Sequence, residues 1–271
     1  MKSFFGIGGY SGTPEGAYSW QHLLFVAISI FLMIGLATFI ALINKNKSEK
    51  DKNRVLIVCA ILIDVVEVFK IVLFSIRDND PTVWTRMLPL FLCSIQLITI
   101  PIAAFSKGRL REAALDFVFI FGLLSAVAGT IGAAQNYNAY PVLSFPNVVS
   151  AITHCISGFC SLYIVIAKMQ SMKKKNIWIT YSILLSFMTA AFVANKIIPY
   201  NYMFLESDDG TPFVLFANLV NHNKILYPIT VVLSLVLYVA VFYLVYYVIT
   251  GRKSKSVNSQ SKFHSSNRGG K

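Results

Sequence analysis

Two side chains in this sequence suit covalent chemistry and fall at one level of the chain's apolar runs, Cys93 and His154. A neutral imidazole can take the proton of a thiol, and the thiolate then attacks an acyl carbonyl. Cys93 lies about six residues into the run 87–105, roughly 9 Å at 1.5 Å per residue. His154 lies about six residues beyond Val148, again roughly 9 Å. Each residue also has a plainer reading. A cysteine in an apolar run is often a small buried hydrophobe. His154 shares a face with Ser150, Ser157, Gly158 and Ser161, the kind of small-residue face that packs helices in membranes.

Other polar residues keep the same level. Asp64, Glu67 and Lys70 follow one another in steps of three, which puts them near one helical face. Lys70 is placed to pair with Glu67, and Asp64 then needs another partner or a proton. This trio serves either as a buried ion pair joining helices or as part of a ligand or active site. Gln96 shares a face with Cys93, and Asn195 and Lys196 close a later run; any of the three suits an oxyanion. His22 opens the first run at the same boundary.

The elements that must position these residues are long apolar runs. Of 271 residues, 56% are hydrophobic and only 13% charged, about half the usual charged share of a soluble domain. A bilayer span needs about 20 mostly apolar residues. Seven runs qualify, at about 22–43, 55–76, 87–105, 113–133, 148–167, 177–198 and 225–249. The expected fold is an all-α membrane protein, a bundle of seven transmembrane helices. Three regions divide the chain: an N-terminal lead at 1–21, the spanning domain at 22–249 and a disordered basic tail at 250–271. Lys2 precedes a glycine-rich polar stretch rather than the apolar core of a signal peptide.

Charge sets the orientation. Lys45, Lys47, Lys50, Lys52 and Arg54 crowd one loop. Lys107, Arg109 and Arg111 occupy the loop two spans later, and Lys168, Lys173, Lys174 and Lys175 the loop two spans later again. The tail is basic too. The intervening loops are neutral or acidic, as with Glu206, Asp208 and Asp209. Basic loops stay in the cytoplasm, so the N-terminus is expected outside and the C-terminus inside a multi-pass protein of the cell membrane. The formal net charge of +12 is then a topology signal rather than a nucleic-acid footprint. Cys59, Cys93, Cys155 and Cys160 form no CxxC pair, and no metal-ligand spacing occurs, so neither a disulfide framework nor a metal or other cofactor is expected. The expected partners are membrane lipids; the oligomeric state stays open.

The sequence resembles the YwaF-type integral membrane proteins of bacteria. The resemblance is carried by Trp20-Gln21-His22, by the step from Glu67 to Lys70, and by Leu88-Pro89-Leu90-Phe91-Leu92-Cys93. It is also carried by His154 and by Asn201-Tyr202-Met203-Phe204-Leu205, with Pro212 following. These motifs span most of the chain and make Asn201 a further candidate. Animal relatives of that family are thought to be phospholipid acyltransferases with a span-buried Cys and His. The resemblance therefore implies Cys93 as nucleophile and His154 as base. One position departs from it: Phe91 stands where a polar or His residue is expected before the cysteine.

Two functions compete on these residues. One is an enzyme that moves or hydrolyses a lipid acyl group through Cys93 and His154, with Glu67, Lys70, Gln96 and Asn195 in support. The other is a transporter or solute-binding protein that uses the same cluster, with Glu67 carrying a proton. A structural or regulatory partner of another membrane protein is a third reading.

Overall fold

The computed structural model describes residues 2–10 and 12–266, with side chains described for residues 4–10 and 12–251. In chain order the helices are α1 (Lys2–Phe5), α2 (Trp20–Asn44), α3 (Glu49–Arg77), α4 (Gln96–Phe105), α5 (Gly108–Thr130), α6 (Ala134–Ala139), α7 (Phe145–Ile166), α8 (Ile177–Ile197), α9 (Val214–Leu219) and α10 (Leu226–Ser266). Short 3-10 turns at Val83–Arg86, Lys174–Asn176 and Tyr202–Phe204 link some of them. Among the described residues there is no strand. Five helices are long and apolar enough to cross a membrane. The expected tail at 250–271 begins inside α10; its side chains from Arg252 onward, and residues 267–271 altogether, lie outside the described residues.

Local chemistry starts the helices where they begin. The Ser19 hydroxyl accepts from the His22 N–H at 3.3 Å and caps α2. Ser48 accepts from the Asp51 N–H at 3.2 Å and donates to its carboxylate at 2.6 Å, opening α3. Pro146 stands in the first turn of α7, where a missing N–H costs nothing.

The bundle is organised around α5 and α7, its most intimately packed pair. Small residues let their backbones approach. A Cβ at Gly122 would meet the Ser157 carbonyl oxygen at 2.5 Å, and one at Gly129 would collide with the His154 ring. On one side α2, α3 and α4 pack on this pair, burying Leu56, Ile63, Ile100, Leu115 and Tyr163. On the other side α8 and α10 close over α5, burying Phe117, Phe121, Leu184 and Val231. Tyrosine hydroxyls tie the layers by donating to backbone carbonyls: Tyr238 to Ile120 at 2.8 Å, and Tyr163 to Lys52 at 3.0 Å. Large apolar side chains such as Phe31, Val68 and Leu237 point outward, as a lipid-facing surface requires.

The expected third span is not one helix. Only Gln96–Phe105 is helical, and residues 87–95 run as a chain of turns. Pro89 disfavours helical backbone at Leu88. Ser94 then competes for the backbone, since its hydroxyl accepts from the Phe91 N–H at 3.0 Å. The Phe91 ring leans outward into an aromatic cluster, 5.4 Å from Tyr202 and 5.5 Å from Phe204. The fourth span is also displaced toward the N-terminus, to Gly108–Thr130, while part of the following loop forms α6.

The tight α5–α7 crossing sets a measurable cost. Gly122→Ala should destabilise the protein by about 1–3 kcal/mol through overpacking, lowering the Tm in detergent by several degrees. Gly35→Ala on α2, where a Cβ meets nothing within 4 Å, should leave the Tm unchanged or slightly raised. Equal effects at the two sites would contradict this packing.

Candidate functional site

A cavity of about 450 Å³ opens between α3, the turns of residues 87–95 and α7. Cys93 and His154 both line it, as do Glu67, Lys70, Ser94, Ser150, Thr153 and Ser157. Together these groups give the cavity a polar wall inside a mainly apolar bundle.

Each wall has its own cause. On α3 the step of three brings Lys70 Nζ to 2.6 Å from Glu67 Oε1, and the two side chains are 19% and 11% exposed. An ammonium and a carboxylate so largely removed from water are tolerable only as such a pair. Cys93 is presented by the turns that lead into α4, and the residue is partly buried at the cavity wall. On α7 the ring of His154 lies against Gly129, and its Nδ1 is 3.4 Å from the Ser125 hydroxyl. Ser125 and Gly129 lie four apart on α5, a small-residue pair that makes room for the ring and gives it a partner.

Two arginines stand at the mouth. Arg77 pairs with Asp78 at 2.6 Å, lies over the Phe74 ring at 4.3 Å and donates to the Tyr10 hydroxyl at 3.4 Å. Arg86 pairs with Asp80. The hydroxyl and backbone N–H of Thr82, at 2.6 and 2.8 Å, together with Arg86, hold the Asp80 carboxyl below its usual range. Asp80 therefore stays charged and keeps Arg86 in place. The N-terminal lead folds over this end. Phe5 packs on Phe145 at 5.4 Å, and Glu15 Oε2 accepts from the Val142 N–H at 2.8 Å.

The other residues singled out in the sequence are elsewhere. Gln96 is fully buried and bonded to Thr99 at 3.1 Å rather than facing the cavity. Asn195 spends both ends of its amide on the Tyr202 backbone, at 2.8 and 3.0 Å, and lines a separate outer recess. His22 is fully buried; its Nδ1 accepts from the Tyr18 N–H at 2.9 Å, and its Nε2 reaches the Thr130 carbonyl at 3.2 Å. Lys196 pairs with Glu206 at 2.7 Å. Asn201 braces its own loop through Ser207, Glu206 and Asp209. Asp64 is partly buried on α3 and does not line the cavity. Cavity residues that the sequence did not mark as site candidates include Asp78, Ser94, Asn136, Tyr140, Thr153, Tyr200, Arg77 and Arg86. Two arginines in a loop where Asp78 and Asp80 balance their charge were the available signal. Among the described residues, no cluster of His, Cys, Asp and Glu could hold a metal ion.

Fold and cavity together define a multi-pass α-helical membrane protein with a polar chamber inside the bundle. The chain belongs to the TMEM164 family, whose model matches residues 17–246. That stretch covers α2 to α9, about the first half of α10 and every wall of the cavity except the N-terminal cover. No curated protein and no solved structure matches the chain.

The Glu67–Lys70 pair gives a direct test of the chamber's electrostatics. Glu67→Gln strands an ammonium and should cost about 3–5 kcal/mol in thermal unfolding. Adding Lys70→Met removes the stranded charge and should restore most of that loss. If the double variant is as unstable as the sum of the singles, the two side chains do not act as a pair.

Proposed function

We propose that this protein is an intramembrane enzyme that transfers or hydrolyses a lipid acyl group, with Cys93 as nucleophile and His154 as general base. One observation carries the reading: a thiol and an imidazole from separate elements line the same polar cavity at membrane depth. The resemblance to YwaF-type proteins supports the same pair. Seven spans cross the bilayer in this reading, counting α3 with its ion pair and the short α4, with the N-terminus outside and the C-terminus in the cytoplasm of a cell-membrane protein.

The chemistry follows from the walls. The Ser125 hydroxyl, 3.4 Å from Nδ1, holds the His154 ring. Cys93 and His154 share the cavity without a hydrogen bond between them, and in this reading the ring's other nitrogen takes the Cys93 proton when substrate brings the two together. The thiolate attacks the ester carbonyl of a lipid. Cys93 stands just ahead of the N-terminal end of α4, so the positive end of that helix and the Lys70 ammonium stabilise the oxyanion. Collapse releases the alcohol, which takes the proton from His154, and leaves a thioester on Cys93. A second alcohol or water then accepts the acyl group. Gln96 and Asn195 have no part in this step.

A second reading, a transporter or solute-binding protein, is favoured by one feature. Irregular backbone beside an intramembrane ion pair is how many transporters build a substrate site near the middle of the bilayer. There Glu67 would carry the proton.

Comparative lipidomics of membranes that contain parent or variant protein separates the two. Cys93→Ala and Cys93→Ser should abolish the acyl-exchange difference, and His154→Ala should lower it by about 10²–10⁴-fold. A thiol-reactive acyl probe should label Cys93 in the parent. Full activity in Cys93→Ala together with its loss in Glu67→Gln would overturn the enzyme in favour of the transporter.

A further inference from the structure

We propose that a second, apolar site on this protein holds one acyl chain of a glycerophospholipid whose phosphate sits at Arg54. The site is a groove of about 620 Å³ with α2 and α3 as walls and α7 as floor. It is independent of the polar cavity. Its floor is the flank of α7 that carries Ile152, Cys155 and Phe159, whereas the cavity uses the flank with Ser150, Thr153 and His154.

The packing calls for an occupant. Helices joined by a short connection normally pack against each other. Here α2 and α3, joined through residues 45–48, each pack on α7 yet hardly touch one another. The space between them is lined by apolar side chains, including Ile152, 41% exposed, and Val58, 54% exposed. Its hydroxyl makes no exception, because Ser29 donates to the Phe25 carbonyl of its own helix at 2.8 Å. A surface of this kind at membrane depth takes hydrocarbon, and dispersion contacts reward a chain that fills it.

Length and charge choose a phospholipid chain over a packed helix. Along α2 the groove runs from Phe25 to Ile40, about 22 Å at 1.5 Å per residue. Half of the hydrocarbon core is only about 15 Å, so the groove suits a long, extended chain that passes the midplane. At its Ile40 end stands Arg54, with Lys47 and Lys50 nearby in the sequence. Asp51 engages Arg54 through Nη1 at 3.0 Å, which leaves the other guanidinium donors for a phosphate. The anionic inner leaflet supplies such headgroups on the side proposed to be cytoplasmic.

Native mass spectrometry of the full chain, released from nanodiscs that contain a phosphatidylglycerol and phosphatidylcholine mixture, tests the site. The parent should carry one phospholipid. Ile152→Trp, which fills the groove from its floor, should lower that occupancy at least tenfold, and Arg54→Gln should lower it about threefold and erase any preference for the anionic lipid. Leu123→Trp, on the lipid-facing side of α5, should change nothing, and alkylation of Cys93 at the parental rate in each variant checks that the fold survives. Absence of a phospholipid on the parent, unchanged occupancy in Ile152→Trp, or a dimer that Ile152→Trp dissociates would overturn the proposal, the last by assigning the groove to a second copy.

Discussion

Peptide N–H and C=O groups taken out of water cannot be left without partners, and this cost governs everything around residues 87–95. A helix would have satisfied those groups within itself. Pro89 and Ser94 divert the chain into turns instead. Turns inside a packed helical bundle survive only where protein covers them or where they border a polar chamber. The structure supplies both, an aromatic cover from Tyr200, Tyr202 and Phe204 on one side and the cavity on the other. The same break exposes Cys93, which a continuous helix would have turned into one more packing residue.

The chamber has to be held open against lipid. The Glu67–Lys70 pair does this on α3, because neither charge tolerates hydrocarbon and both gain from a polar neighbourhood. On α7 the serines and threonine that line the cavity keep it polar. Behind them Gly122 and Gly129 let α5 come close enough to fix the His154 ring from the rear. At the mouth, Asp80 and Asp78 hold Arg86 and Arg77 on the rim. Backbone geometry, one ion pair and two glycines thus converge on a single chamber.

Much of this was legible in the apolar periodicity, and the exceptions have physical causes. Helices α2, α7 and α8 fall within about three residues of the runs that predict them, because their ends coincide with Ser19, Pro146 and the basic loop before Ile177. The third run misleads because hydrophobicity reports where a segment lies, not whether its backbone is helical. For the site, depth along the chain placed Cys93, His154, Glu67 and Lys70 at one level, and the structure puts them around one cavity. The same arithmetic also gathered His22, Asn195 and Lys196, and a shared helical face added Gln96, all of which point elsewhere. Depth fixes height in the bundle but not direction around it, and direction depends on helix neighbours that a single sequence does not encode. Asn201 was drawn in by a motif whose work, in the structure, is to brace a loop.

A polar chamber that admits water to Cys93, while Cys59 and Cys160 are buried and Cys155 faces an apolar groove, is the claim on which the mechanism stands. It is tested most directly by applying a small, charged, membrane-impermeant methanethiosulfonate to the outside of intact cells and mapping the modified thiols by mass spectrometry. Modification at Cys93, with Cys59, Cys155 and Cys160 untouched and the rate at Cys93 altered by His154→Gln, is the expected result. An inert Cys93, or a pattern in which all four thiols react alike, would contradict it.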